Sequence, residues 1–326
     1  MPLPFILGGL ALAAAGYGVK KGIDALDADC EADKFIEKAE NLKEEATKKA
    51  ESAQSGCKRA FARFGEKKLR VLSHSVSNFL DHFHRLNRSR ITIEGINMQD
   101  IQHQVSDARK ITNQLNANGI DGDSALGVFA GFGSLGISSF TTGAVLGGGL
   151  AASGLAGMAV IGGVGAAPVI AILGALSAAK MEKKRDDAKA YCSQVEAAVK
   201  KAVVMIDQFQ AIEKMAMYFT RQITKFDALF FSLSQDAIAT MKKHHYDTSR
   251  YNQKEKDQLC VAVSTLSTLS AFLKVSIMDE HQKLNKKAQN ALNLMRDQMN
   301  ALESAQKSGR YNVAMIQSNQ KGLKNL

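Results

Sequence analysis

One uncharged stretch, residues 124–179, dominates the sequence: SALGVFAGFGSLGISSFTTGAVLGGGLAASGLAGMAVIGGVGAAPVIAILGALSAA. These 56 consecutive residues contain no Asp, Glu, Lys, Arg or His, although charged side chains make up 23% of the chain. A helix crosses the hydrocarbon core of a bilayer in about 20–25 residues. The stretch, called the hydrophobic tract below, is therefore long enough for two crossings and predicts a hydrophobic hairpin.

The hydrophobic tract contains 14 of the chain's 26 glycines and one proline, Pro168. Small residues recur four positions apart, which creates flat helix faces that pack closely within a bilayer. A buried core hairpin of a soluble protein is the alternative, but each helical glycine there would cost about 0.5–1 kcal/mol relative to alanine. We predict that the following residues mediate membrane insertion and helix packing: Gly127, Gly131, Gly143, Gly147, Ala151, Gly157, Gly162, Ala166, Ala171 and Ala175.

The composition outside the tract favours long helices. The chain has 3 prolines and no tryptophan, and it is rich in Ala, Lys, Glu, Gln and Leu, which are strong helix formers. We therefore predict an all-α protein with almost no strand.

The net charge of +10 is unevenly distributed. Residues 1–123 carry 18 Lys and Arg against 17 Asp and Glu, whereas residues 180–326 carry 24 against 15. This bias favours anionic partners, and beside a long apolar tract the expected partner is an anionic lipid bilayer. A solvated lysine-rich face is the alternative. Nucleic acid is not expected, because many aromatic residues lie at apolar helix positions.

A second apolar segment precedes the first cations of the chain. Residues 2–19 read PLPFILGGLALAAAGYGV, with no positive side chain before them. We expect a retained segment rather than a cleaved signal peptide, although its length leaves open whether it spans the bilayer or lies on it. The positive-inside rule predicts cytoplasmic anchor charges beside both apolar segments: Lys20, Lys21, Lys180, Lys183, Lys184 and Arg185.

Three helices are predicted before the tract. The first has a thin stripe of small residues up to Ala53 and is weakened at Ser55 and Gly56. The second covers residues 69–86, and the third covers residues 101–115 and ends at Asn118 and Gly119.

After the tract, apolar residues alternate three and four positions apart over residues 195–237, which predicts one long helix. A polar reversal at 242–256 and a last long helix at 266–302 follow. In the long helix over residues 195–237, the predicted bundle seam includes Met205, Phe209, Ile212, Phe219, Ile223, Phe226 and Phe230.

Together these patterns predict an elongated bundle of long antiparallel amphipathic helices with a Gly/Ala-rich hairpin at one end. The predicted parts are an apolar N-terminal segment at 1–19, a bundle at 20–119 and 181–306, the membrane-inserting hairpin at 120–180 and a polar tail at 307–326.

Few residues suggest chemistry. Residues 131–136 match GxGxxG, but the next acidic residue is Glu182, and dense glycines match this pattern by chance. His82 and His84 are two positions apart and point to different helix faces, so they are poorly placed to share a metal. The four cysteines form no CxxC pair, which fits a reducing compartment. We predict no enzyme activity, no metal and no cofactor.

The order of long amphipathic helices, a Gly/Ala-rich apolar insertion at 124–179 and further long helices resembles the α-helical pore-forming toxins of the cytolysin A and haemolysin BL type. The resemblance covers most of residues 22–306 and is one of layout. It implies that the tract is packed away in a soluble form and enters a membrane on assembly.

Two functions remain open. One is a membrane-inserting effector, soluble and cytoplasmic before insertion, that oligomerises with itself or with related helical subunits. The other is a permanently membrane-anchored coiled-coil protein with a structural or signalling role.

Overall fold

The computed structural model describes residues 24–86, 98–117, 128–130, 132–133, 185–278 and 284–308. These residues are mostly helical and contain no strand, apart from one isolated antiparallel bridge between Met278 and Leu284. The prediction of a helical protein is therefore confirmed for this part of the chain. Most of the hydrophobic tract lies outside it.

The first helix is longer than predicted. Helix α1 comprises Asp24–Arg70 and continues through a π-helical segment, Val71–Val76, into α2, Ser77–Phe83. The expected weakening at Ser55 and Gly56 and the separate second helix were wrong. Ala53, Cys57 and Ala60 around this position are all buried, and their packing offsets the cost of about 1 kcal/mol for a helical glycine.

Four further long helices follow within the described residues. Helix α3 comprises Met98–Ala117, close to its predicted bounds, and α4 comprises Arg185–Lys243. The predicted last long helix is instead two helices, α5 at Gln253–Lys274 and α6 at Lys286–Ser308.

Side chains stabilise the turn between α5 and α6. Ser276 Oγ donates to the backbone oxygen of Met278 over 2.6 Å, and the Asn285 amide donates to Ile277 O over 2.8 Å. Asn285 Oδ1 then accepts from the Lys287 amide over 2.9 Å, as a helix cap does. These bonds replace the helical ones, so apolar periodicity alone did not reveal the break.

The corner between α4 and α5 is strongly capped. Asn252 and Glu255 form a capping box at the start of α5. The Glu255 carboxylate also accepts from His244 Nε2 over 3.0 Å and Lys243 Nζ over 2.9 Å. The His244 contact, followed by those of Lys243 and the Asn252 amide, lowers the pKa of Glu255 to about 2. This network ties the end of α4 to the start of α5.

Helices α1 and α4 run side by side in the same direction. Lys38 pairs with Glu196 over 2.7 Å and Lys67 with Asp227 over 2.8 Å. Farther along, His82 Nδ1 lies 2.8 Å from the Tyr246 hydroxyl. Residue numbers rise together on both helices, so this pair is parallel, whereas the sequence had predicted an antiparallel arrangement.

The contact between α1 and α4 changes in character along its length. In its first part, two clusters of described residues draw on these two helices only, and the buried members that α1 contributes are all alanines. Alanine at these positions lets two helix backbones approach closely. The buried members of the two clusters are Ala39, Ala46, Ala50, Ala53, Tyr191, Cys192, Val195, Ala198, Ala202 and Ile206. We call this part the stalk.

The second part of the contact is aromatic and belongs to a larger core that also includes α3, α5 and α6. Phe64 packs against Phe219 with ring centroids 5.7 Å apart, and Phe226 packs against Phe272 at 5.9 Å. Gln104 of α3 donates to Ser270 Oγ of α5 over 2.8 Å inside this core. We call this part the head.

Candidate functional site

The first residues of the hydrophobic tract that the structure describes, 128–130 and 132–133, are helical and lie in the head. Val128, Ala130 and Phe132 are buried in the same core cluster as the aromatic residues of α1 and α4. We call residues 128–130 and 132–133 the docked segment. Val128, Ala130 and Phe132 of the tract are therefore covered by protein in this structure.

Two glycines allow the docked segment to lie directly on the backbone of α1. A Cβ atom on Gly65 would overlap the backbone oxygen of Phe129, and one on Gly133 would overlap the backbone oxygen of Phe61. The same Gly133 Cβ would lie 3.0 Å from the Gly65 amide nitrogen. Because backbone atoms cannot swing aside, both positions exclude a larger residue while the segment is docked.

A lysine is buried one turn beyond this contact. Lys68 is 0% exposed, with Nζ 3.4 Å from the backbone oxygen of Val275 and 4.3 Å from the centroid of the Phe64 ring. The neighbouring Lys67 forms the ion pair with Asp227. Burial lowers the pKa of Lys68 to about 7, because a low-dielectric interior disfavours the charged form.

The predicted insertion residues fall outside the described part of the chain: Gly127, Gly131, Gly143, Gly147, Ala151, Gly157, Gly162, Ala166, Ala171 and Ala175. So do the predicted anchor charges Lys20, Lys21, Lys180, Lys183 and Lys184, while Arg185 is the first residue of α4. In the predicted seam, Ile212, Phe219, Ile223, Phe226 and Phe230 are buried, and Met205 and Phe209 are partly buried beside core clusters.

The described residues offer no group of three metal-ligating side chains. The histidines that the sequence singled out have separate partners, since His82 contacts Tyr246 and His84 Nε2 lies 2.7 Å from Gln102 Nε2. Cys57, Cys192 and Cys260 are free thiols whose pKa is raised, chiefly by burial. A raised thiol pKa disfavours the nucleophilic thiolate.

Sequence reasoning missed Gly65 and Lys68. Lys68 stands beside Lys67 in a basic run, and a lysine pair on a helix normally predicts a solvated face. Gly65 stands alone in a run of good helix-forming residues. An isolated glycine of this kind indicates that another backbone approaches closely, so the sequence did contain a signal for this contact.

Within the described ranges no helix is both long and apolar enough to cross a membrane. In the head, the docked segment of the hydrophobic tract packs against Gly65, close to the buried amine of Lys68. No family model, curated protein or solved structure matches the chain.

Proposed function

We propose that the protein is a membrane-inserting helical effector. It releases the hydrophobic tract from the head, inserts it into an anionic bilayer as a hairpin and oligomerises to permeabilise or remodel that bilayer. In this proposal the bundle is elongated, the hairpin emerges at one end, and the layout resembles the α-helical pore-forming toxins of the cytolysin A and haemolysin BL type.

The observation that carries the proposal is the uncharged length of the tract together with the docking of its first residues. Fifty-six residues without a charge are more than a core helix needs and suffice for two crossings. The docked segment buries Val128 and Phe132 in the head, and its close approach to α1 requires glycine at positions 65 and 133. It is only a short part of the tract, which supports an equilibrium between packed and released states.

The parallel course of α1 and α4 supports insertion at one end of the molecule. The paired residues Lys38 and Glu196 lie near the start of both helices. Asp24 and Arg185 therefore begin their helices at the same end of the stalk. The chain reaches these points from the two apolar segments and their cations, Lys20 and Lys21 on one side and the cluster at 180–185 on the other.

The same geometry supports the second candidate, a permanently membrane-anchored coiled-coil protein. Two parallel helices that begin beside two apolar segments are what a stalk rising from a membrane requires. The two functions differ in whether the tract is released or permanently embedded.

A solubility assay paired with liposome leakage separates them. For the effector, purified full-length protein stays in solution without detergent and releases dye from vesicles that contain phosphatidylglycerol. Replacing Gly147 and Gly157 by leucine should abolish leakage while the helical content is unchanged, because bulky residues block close helix packing. Protein that is soluble only in detergent and never releases dye would indicate the membrane-anchored function instead.

A matched pair of alanine variants tests release from the head. Gly65→Ala places a methyl group against the backbone of Phe129, whereas Gly56→Ala meets only the carboxylate end of Glu213, which can rotate away. Overpacking typically costs about 1–3 kcal/mol, so Gly65→Ala should release dye at least about fivefold faster than the wild type. Gly56→Ala should leave the rate unchanged. Equal leakage from both variants would contradict release from the head.

A further inference from the structure

A second site lies between α1 and α4, where the stalk meets the head. It is an open groove with a volume of about 690 Å³. Arg63 lines the groove. Gly65, which contacts the docked segment, follows two positions later and therefore lies about 200° away around the helix axis. The groove and the docked segment therefore occupy opposite flanks of α1. The groove is lined by Lys49, Ser52, Ala53, Gly56, Arg59, Ala60, Arg63, Gln210, Glu213, Lys214 and Met217.

The floor of the groove is apolar because α1 presents small residues there. Ala53 and Ala60 leave space open there, the Glu213 carboxylate lies against Gly56, and Met217 of α4 borders the groove with 52% of its surface exposed. A half-exposed methionine beside a channel of small residues provides an adaptable apolar surface.

The rim of the groove is cationic. Lys49, Arg59, Arg63 and Lys214 line it, and Glu213 is the one carboxylate among the lining residues. Lys49 is paired outside the groove with Glu45 over 2.6 Å, and Arg59 is held by Ser55. Arg63 and Lys214 line the groove from different helices and are exposed. This distribution complements an anion.

We propose that the groove between α1 and α4 binds an anionic amphiphile. Its phosphate or carboxylate group contacts the cations of the rim, and its apolar part lies along Ala53, Ala60 and Met217. Arginine binds such groups through two parallel N–H donors, which suits Arg59 and Arg63, one helical turn apart. Binding at this site is independent of membrane insertion.

The length of the groove suits a lipid better than a small ion. Lys49 and Arg63 are 14 positions apart on α1, which corresponds to about 21 Å. An inorganic phosphate would occupy a fraction of that length and would leave the apolar floor uncovered. Glu213, whose carboxylate lies against Gly56, opposes any anion in the groove by like-charge repulsion, so its neutralisation should strengthen binding.

Titration calorimetry on the full-length protein tests the proposal with a soluble probe, dihexanoyl phosphatidylglycerol below its micellar concentration. The groove variant Arg63→Gln with Lys214→Gln is compared with Arg70→Gln with Lys225→Gln. Each double variant removes two exposed cations, one from α1 and one from α4, but the second pair lies outside the groove. We expect about tenfold weaker binding for the groove variant only, and tighter binding for Glu213→Gln.

Two further probes identify what is recognised. Dihexanoyl phosphatidylcholine should bind more weakly than the anionic lipid, and inorganic phosphate more weakly still. Equal affinity for inorganic phosphate would overturn the amphiphile and assign the groove to free phosphate. Equal losses in the two double variants would overturn the site, because they would indicate general attraction to a basic protein. Neither readout requires leakage, so failure of the proposed effector function leaves this result intact.

Discussion

The buried side chain of Lys68 makes the stability of the head depend on pH. Its amine is buried beside Phe64 and Val275, and its pKa is lowered to about 7 from an ordinary value of 10.5. The surrounding charges are already matched, since Lys67 pairs with Asp227 and Lys274 pairs with Asp100. Protonation of Lys68 therefore carries a desolvation cost that lowers the stability of the folded state.

The pH dependence of the stability follows from this shift. Between about pH 7 and pH 10.5 the unfolded chain binds a proton at Lys68 that the folded chain does not, so the free energy of unfolding rises with pH. The Lys68→Met variant removes this dependence. Its advantage over the wild type should shrink by on the order of 4 kcal/mol across that window, as measured by urea denaturation.

Lys67→Met is the control for the Lys68 measurement. It removes the half-buried ion pair with Asp227 and should destabilise the protein. An advantage of Lys68→Met that stays constant with pH would contradict the assignment of a neutral buried amine.

At the scale of elements, the pairing of α1 with α4 decides the arrangement of the molecule. Its first part depends on alanine contacts and its second on aromatic rings such as Phe64 and Phe219. Parallel helices cannot be joined by a short loop, so a long connection must return the chain from the head to the start of α4. Residues 118–184, which include the hydrophobic tract, make that connection.

The parallel register predicts a defined pair of cross-links. Carbodiimide joins amines to carboxylates without a spacer, so it should link Lys38 to Glu196 and Lys67 to Asp227 within one chain. Mass spectrometry of the digested monomer locates both links. An antiparallel pair would place one of these couples at opposite ends of helices about 70–90 Å long, so recovery of both links excludes it. Recovery of neither would contradict the register.

At the scale of the whole molecule, the net charge of +10 acts before any specific contact. Most of the excess lies in residues 180–326, a range that includes α4, α5 and α6. A field of this sign draws the protein to an anionic surface over distances comparable to the Debye length, which falls from about 10 Å at 0.1 M salt to about 3 Å at 1 M.

Under the proposed effector function, the first association with vesicles should therefore depend on salt, while the inserted state should not. We expect co-flotation with phosphatidylglycerol vesicles to fall at least about tenfold when salt is raised from about 0.1 M to 1 M before mixing. Salt added after insertion should release little protein, because apolar burial is not screened. Full release by late salt would show surface adsorption only.

The sequence by itself determined the helical class, the long helix after the tract and the approximate bounds of α3, because these depend on local propensity and apolar periodicity. Val195 and Phe226 are buried where their spacing predicted. The continuity of α1 through Gly56, the break between α5 and α6 and the burial of Lys68 were decided by tertiary structure. At Gly56 and Lys68 a contact with a distant segment outweighs local preference: Glu213 of α4 lies against Gly56, and Val275 covers the Lys68 amine together with the nearby ring of Phe64. At the break, bonds across the turn outweigh the apolar periodicity, because the Asn285 amide donates to Ile277 O.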